Sequence, residues 1–286
     1  MLTQQQIDFY HENGYIGVES VLSEQDIIDL RRVTDEFVEK SREVTEHSDV
    51  FDLEPGHSAE SPRVRRIKNP AAQHIVYDQV RTYERIIDIV EQLVGPGVRS
   101  MGSKLNMKYP DFGSPVEWHQ DWAFYPHTND DVLAVGVAID DMSVENGALM
   151  VIPGSHKGPI YDHHQNGRFA GAVTDPNFTS DGAIPIEVKA GGISIHHVRT
   201  LHGSAPNISS TPRRLLLAAY TAVDAWPLGG GDWDALSANV LRGELTNQVR
   251  MTDAPVRLAL PTAERGGSIY ETQTILKNPL YGQKTK

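Results

Sequence analysis

The chain of 286 residues contains no cysteine, and its 38 acidic residues outnumber its 26 basic residues. The absence of cysteine excludes disulfides, thiolate metal sites and cysteine nucleophiles, so any metal must be held by nitrogen and oxygen atoms. The formal net charge of -12 disfavours a nucleic-acid partner and an anionic membrane surface.

Long apolar runs are also missing. No uncharged apolar stretch approaches the length of a membrane span, and the N-terminus lacks the basic and apolar regions of a secretion signal. We therefore expect a cytoplasmic protein with no membrane partner. No region changes composition sharply enough to mark a linker, so residues 1–286 are expected to form a single domain.

Three helices are predicted in the first third of the chain. Thr3 and Gln6 form a capping box, and Gly14 is placed to end the helix that follows. Ser23 precedes a second helix over residues 24–39, and a third is predicted over residues 83–94. Residues 1–97 are accordingly expected to be mainly helical.

Beyond residue 98 the chain becomes strand-like. Short apolar segments bounded by turn residues predict a mainly β fold with flanking helices, a double-stranded β-helix of the cupin-like jelly-roll type, whose interior can hold a site. We expect the jelly-roll core over residues 98–226 and an irregular extension over residues 227–286. The predicted strands cover residues 103–109, 132–139, 148–152, 192–197 and 215–223.

His119 and Asp121 are candidate metal ligands, because alternate side chains of an extended strand share one face. A strand over residues 192–197 and a bend over residues 198–201 would deliver His202 to the same place. Two imidazoles and one carboxylate with open positions are the ligands of a non-haem Fe(II) oxygenase. His196 and His197 remain alternative ligands, since strand register is hard to fix from sequence.

Arg213 follows the distal histidine at the head of the next predicted strand. A guanidinium forms two parallel hydrogen bonds to a carboxylate, so Arg213 suits the far end of a metal-chelating dicarboxylate. Ser204 could add a hydroxyl there.

Five motifs in this order resemble the phytanoyl-CoA dioxygenase family of Fe(II)- and 2-oxoglutarate-dependent oxygenases, as does the opening Ile7-Asp8-Phe9-Tyr10. The resemblance extends to about Val223. The motifs are His119-Gln120-Asp121, Asn146-Gly147-Ala148-Leu149, Pro153-Gly154-Ser155-His156, His202-Gly203-Ser204 and Arg213.

The resemblance implies the cofactor Fe(II), the co-substrates 2-oxoglutarate and O2, and a role for each matching residue. Iron would be bound by His119, Asp121 and His202. The distal carboxylate of 2-oxoglutarate would be held by Arg213 and Ser204. Beside the co-substrate would lie Lys104, Asn106 and Arg66, with Lys68 as the alternative to Arg66.

Two positions refine this resemblance. Where the founding member has a tryptophan beside the co-substrate, this chain has Val137, so a different pocket wall is expected. In related halogenases a small residue replaces the metal-binding carboxylate and chloride binds instead. Asp121 fills that position here, which favours hydroxylation, desaturation or ring formation.

The predicted function is oxidation, by hydroxylation above all, of an unactivated C–H bond of a small organic molecule, with release of succinate and CO2. One alternative is a metal-dependent jelly-roll isomerase or hydrolase that needs no 2-oxoglutarate. Another is a catalytically silent binding protein on the same fold.

Two irregular segments are expected to matter. Residues 158–182, rich in Gly, Asp and Asn, are predicted to form a mobile lid over the substrate. Residues 228–267 are long enough to act as the arm of a homodimer. A substrate pocket is expected between Tyr125, the first segment and the C-terminal part of the chain.

Overall fold

The computed structural model describes residues 1–262 and 268–282. Five of the described helices lie in the N-terminal third, and two short ones lie after residue 232. The helices are α1 (Gln4–Asn13), α2 (Glu24–Lys40), α3 (Pro70–Gln73), α4 (Ile75–Arg81), α5 (Glu84–Val94), α6 (Trp233–Ser237) and α7 (Ile269–Thr272).

The described strands pair in antiparallel fashion. They are β1 (Tyr15–Val18), β2 (Phe51–Leu53), β3 (Val64–Lys68), β4 (Val98–Lys108), β5 (Val116–His119), β6 (Val132–Ala138), β7 (Leu149–Val151), β8 (His164–Gln165), β9 (Arg168–Phe169), β10 (Ile184–Ile186), β11 (Ile193–His197), β12 (His202–Ser204), β13 (Arg213–Ala222) and β14 (Val240–Arg242).

Two sheets form the predicted jelly roll. The major sheet has the order β1-β11-β6-β13-β4-β3-β2, with β14 also paired to β4, and the minor sheet has the order β10-β7-β12-β5. Apolar residues of both sheets, among them Leu149 and Leu215, pack together between them. The other face of the major sheet packs against α2, α4 and α5 in the main hydrophobic core.

The three predicted helices are confirmed as α1, α2 and α5, and the first two carry the expected caps. The Thr3 hydroxyl accepts a hydrogen bond from the Gln6 backbone N–H, and Gln6 Oε1 accepts one from the Thr3 backbone N–H. Gly14 ends α1 with φ 77, a left-handed conformation that glycine adopts without strain. Ser23 caps α2 in the same reciprocal way. The local rules of helix initiation therefore operate here as the sequence indicates.

The N-terminal part is less purely helical than expected. Strands β1, β2 and β3 lie within residues 1–97 and extend the major sheet at both ends. β1 pairs with β11, whose residues lie far along the chain, so only the tertiary fold reveals the partner. Strands of three to five residues carry too little periodicity to be distinguished from loops.

Val137 faces away from the site, contrary to its expected place in the pocket wall. On β6 it packs with Val135 in the core beneath the helices, while Ala134 and Ala138 face the interior of the jelly roll. A Cβ on Gly136 would lie 2.9 Å from Leu215 Cδ1, so a larger side chain there would require the Leu215 side chain to move. Alternation along the strand thus places small residues inside.

The segment 158–182 is more ordered than a structureless lid. It contains the hairpin of β8 and β9, and Phe169, Ala170 and Ala172 are buried. The Val173 N–H donates to the Trp118 carbonyl beside the metal-binding strand. This middle portion is therefore a packed wall. Of the segment 228–267, residues 263–267 lie outside the described residues.

A search of the described helices finds none that is both long and apolar enough to cross a membrane.

His127 makes the folded protein sensitive to acid. It is 2% exposed, its Nδ1–H donates to the Tyr125 carbonyl, and Nε2 has no partner among the described residues. Burial lowers the pKa of His127 from 6.5 to about 4. The unfolded chain therefore binds the proton more readily, so this contribution to stability is complete above about pH 6.5 and is lost as the pH falls towards 4.

When the pH falls from 7 to 5, we expect the titration of His127 alone to lower the free energy of unfolding by about 2 kcal/mol. The His127→Leu variant should lose correspondingly less stability over that interval, as measured by urea denaturation at both pH values. An equal loss in the variant and in the wild type would show that this histidine does not contribute.

Candidate metal centre

His119 and His202 are brought together by strand pairing. His119 ends β5, His202 begins β12, and the two residues are direct partners in the minor sheet. Their ring centroids are 4.0 Å apart. The strand ends two residues before Asp121, which begins a 3-10 turn, but Gln120 between them is extended with φ -118 and ψ 128. Alternation therefore still places the Asp121 side chain beside that of His119.

Both histidines are held in the tautomer that a metal needs. His119 Nδ1–H donates to the Glu117 carbonyl at 2.8 Å, and His202 Nδ1–H donates to the Thr200 carbonyl at 2.9 Å. Each Nε2 keeps its lone pair and lies near Asp121 Oδ1, at 3.7 Å for His119 and 3.9 Å for His202. Backbone acceptors behind ligating imidazoles are the usual support of such sites.

The three ligand atoms lie within 4.8 Å of one another, and all three residues are buried. Two imidazole nitrogens and one carboxylate oxygen form the facial set that Fe(II) oxygenases use, with coordination positions left for other ligands. The residues present therefore fit an Fe(II) ion.

The electrostatics keep each group in its ligating form. Burial lowers the pKa of His119 to about 3 and that of His202 well below its ordinary value. Burial alone would raise the pKa of Asp121, but the nearby Lys104, His196 and His202 hold it well below its usual range. At neutral pH the site thus offers two neutral imidazoles and a carboxylate.

The alternative ligands His196 and His197 separate to the two faces of β11. His196 points inward, with Nε2 at 3.5 Å from Asp121 Oδ2 and its ring centroid 4.2 Å from that of His202. His197 faces Asp130 instead, at 4.0 Å. His196 is therefore a neighbour of the metal position, set against the carboxylate oxygen that the other histidines do not face.

The five residues expected around the co-substrate line one cavity together with the metal triad. Arg66 Nε donates to Asn106 Oδ1 at 2.9 Å, whereas Lys68 is paired with Asp52 at 3.1 Å and does not line this cavity. Arg213 donates from Nη2 to the Gly147 carbonyl at 2.8 Å, and burial lowers its pKa to about 10. The eight residues expected in the site are Arg66, Lys104, Asn106, His119, Asp121, His202, Ser204 and Arg213.

A second, outer cavity of about 290 Å³ adjoins the first, since both are lined by Arg66, Lys104 and Asp121. It lies where a substrate pocket was expected, between Tyr125, the wall formed by residues 158–182 and the C-terminal segment. Its remaining lining residues are Phe124, Tyr125, Phe169, Ser268, Ile269 and Thr272.

The C-terminal segment 268–282 is fastened to the strand that carries His119. The Glu117 carboxylate accepts backbone N–H groups of Leu280 and Tyr281 at 2.9 and 3.0 Å. The Glu117 backbone N–H donates to Gln273 Oε1 at 3.0 Å, and Tyr281 stacks on Trp118. These contacts hold Ser268 and Ile269 against the cavity. No local signal in the sequence identifies these two residues, because nothing in their neighbourhood resembles a motif.

The model of the family described as phytanoyl-CoA dioxygenase (PhyH) matches residues 10–215. The chain is 36% identical to a protein of Stutzerimonas stutzeri named probable alpha-ketoglutarate-dependent hypophosphite dioxygenase, over 98% of this chain and 100% of that one. It is 28% identical to the L-proline trans-4-hydroxylase of Streptomyces griseoviridis, over 76% of this chain and 86% of the hydroxylase.

Among solved structures, the chain is similar to the non-heme alpha ketoglutarate dependent carbocyclase SnoK from nogalamycin biosynthesis. The TM-score is 0.65 at 25% sequence identity, with 85% of this chain and 95% of SnoK covered. These relatives do not favour the metal-dependent isomerase or hydrolase without 2-oxoglutarate, nor the silent binding protein.

Proposed function

The chain belongs to the phytanoyl-CoA dioxygenase family, and on that premise we propose that it hydroxylates a small molecule bound in the outer cavity. It is an Fe(II)- and 2-oxoglutarate-dependent dioxygenase. In the proposed reaction the substrate X–H, O2 and 2-oxoglutarate give X–OH, succinate and CO2. Fe(II) with 2-oxoglutarate supplies the oxidising chemistry when bound.

The protein's own residues bind and orient the reactants. We assign iron binding to His119, Asp121 and His202, and the distal carboxylate of 2-oxoglutarate to Arg213 and Ser204. Arg213 is buried and lines the inner cavity together with the metal triad, and a chelating dicarboxylate would use both a metal and a guanidinium.

The remaining lining residues serve placement. Asn106 accepts from Arg66 and thereby fixes that guanidinium beside the co-substrate. Lys104 and Arg66 lie where the two cavities meet, between co-substrate and substrate. Phe124 and Phe169 provide apolar surface that limits water in the outer cavity.

The observation that carries this proposal is that Asp121 lines both cavities, because a substrate in the outer one would lie next to the metal. The test is succinate release by the Fe(II)-loaded chain, with hypophosphite and L-proline, the compounds in the names of two relatives, among the candidates. We expect one succinate for each oxidised product. Product formed without 2-oxoglutarate, or no succinate under any condition, would overturn the proposal.

A homodimer and a cytoplasmic location belong to the same proposal. In residues 228–262 several large apolar side chains are exposed, including Met251 at 68% and Leu260 at 61%, which supports self-association through this segment. Sedimentation velocity of the wild type and of Leu260→Glu tests the dimer, and cell fractionation tests the location.

A further inference from the structure

The boundary between the two cavities carries more positive charge than the metal and co-substrate can balance. Arg66, Lys104 and Arg213 line the cavities, and Asp121 is the one carboxylate among the described lining residues. When a divalent metal is added to these cations, the negative charges of one carboxylate and of the dianion 2-oxoglutarate do not balance them. An excess of about two positive charges remains. Uncompensated charge in a buried site is costly, so a further anion is expected there.

Other acidic groups near these cations already have partners. Asp52, which lies close enough to act on Arg66, is paired with Lys68 at 3.1 Å. Glu54 accepts from the Ser114 backbone N–H at 2.9 Å and also acts on Lys108, outside the two cavities. The excess charge therefore lies at Arg66 and Lys104.

Unused hydrogen-bond donors converge on the same place. Arg66 donates a hydrogen bond from Nε to Asn106, while its buried Nη2 has no partner among the described residues. Lys104 is half-buried, and its Nζ makes no hydrogen bond within the described part of the chain. Ser268 Oγ, on the outer cavity wall, is buried and has no partner among the described residues. Buried donors such as Arg66 Nη2 and Ser268 Oγ are normally satisfied, which points to a ligand at this place.

Size and shape limit the ligand. The outer cavity of about 290 Å³ lies at the lower end of the roughly 300–1,000 Å³ of ordinary ligand pockets. Phe124, Phe169 and Ile269 supply the apolar part of its lining, and Arg66 and Lys104 lie close enough to Asp121 to interact with its charge. A compact anion fits this space with its charged group at the cations and its oxidised atom next to the metal position.

We propose that the substrate is a small oxyanion, a carboxylate or a phosphorus oxyanion, whose charged group binds Arg66 and Lys104 and accepts a hydrogen bond from Ser268. This inference rests on the proposed function and adds the chemical class of its substrate. The X–H bond that is oxidised belongs to this same small anion, either at its charged group or beside it. It lies within reach of the metal.

Binding is measured by calorimetry under anaerobic conditions on the full chain loaded with Fe(II) and 2-oxoglutarate. The probes are hypophosphite, propionate and propionamide. Hypophosphite and propionate compare a phosphorus oxyanion with a carboxylate, and propionamide is the uncharged molecule matched to propionate. We expect at least one anion to bind and propionamide not to bind. Lys104→Met should weaken anion binding at least about tenfold, and Lys104→Arg should restore most of it.

The control variant is Lys189→Met, the same change at an exposed lysine, which should leave anion binding unchanged. The inference would be overturned if propionamide bound as tightly as propionate. It would also be overturned if neither hypophosphite nor propionate bound. A Lys104→Met variant with a raised Michaelis constant for 2-oxoglutarate and unchanged anion affinity would assign the cation to the co-substrate. In each of these cases succinate release by the wild type still reports separately on the proposed function.

Discussion

Replacing His202 by alanine is expected to abolish turnover and to remove the tightly bound iron. Only one imidazole and one carboxylate would remain, and even the loss of a residue that merely supports a metal ligand costs 10–100-fold in affinity or activity. We therefore expect a loss of at least about 100-fold in both quantities. Iron content after dialysis and succinate release measure them, and the same result is expected for His119→Ala and Asp121→Ala.

His197→Ala is the matched control for this prediction. This histidine lies five residues away, but its side chain faces Asp130 on the other side of β11. Wild-type iron content in His197→Ala, beside the loss in His202→Ala, would support the triad. The reverse pattern would show that the assigned register of the ligands is wrong.

Replacing Arg213 by leucine is expected to raise the Michaelis constant for 2-oxoglutarate by about 30-fold or more, with a much smaller effect on the substrate. The buried guanidinium supplies a charge and a forked donor for the distal carboxylate, and losing one partner of such a pair costs about 2–5 kcal/mol. Initial rates of succinate formation over a range of 2-oxoglutarate concentrations measure the effect.

Arg214→Leu is the control, since it makes the same change one residue further along β13. Arg214 donates to Asp140 and Asp35, away from both cavities, so its loss should affect stability and leave the 2-oxoglutarate requirement unchanged. An unchanged Michaelis constant in Arg213→Leu would remove this residue from the co-substrate site.

The metal triad could be predicted from the sequence because two of its members are neighbours along an extended chain. For His119 and Asp121, alternation alone determines a common face, and the structure confirms it even though the strand ends before Asp121. His202 required the ordered motifs, since a cross-strand pairing between distant segments leaves no local trace.

Other features could not be obtained in that way. Val137 was expected beside the co-substrate, but counting from a distant motif does not determine which face of β6 a residue occupies. Strands β1, β2 and β3 are too short for periodicity to reveal them. The segment of Ser268 is held at the cavity by the contacts of Gln273 and Leu280 with Glu117, and such long-range contacts follow from the tertiary fold.

The attachment of segment 268–282 to Glu117 has a consequence for the order of assembly. Ser268 and Ile269 line the outer cavity, and their segment is anchored to Glu117 through Leu280 and Tyr281, which lie 163 and 164 residues away along the chain. The three candidate metal ligands all lie outside this segment, so they can come together before it docks. A chain truncated after residue 262 should therefore bind iron while its substrate cavity stays open.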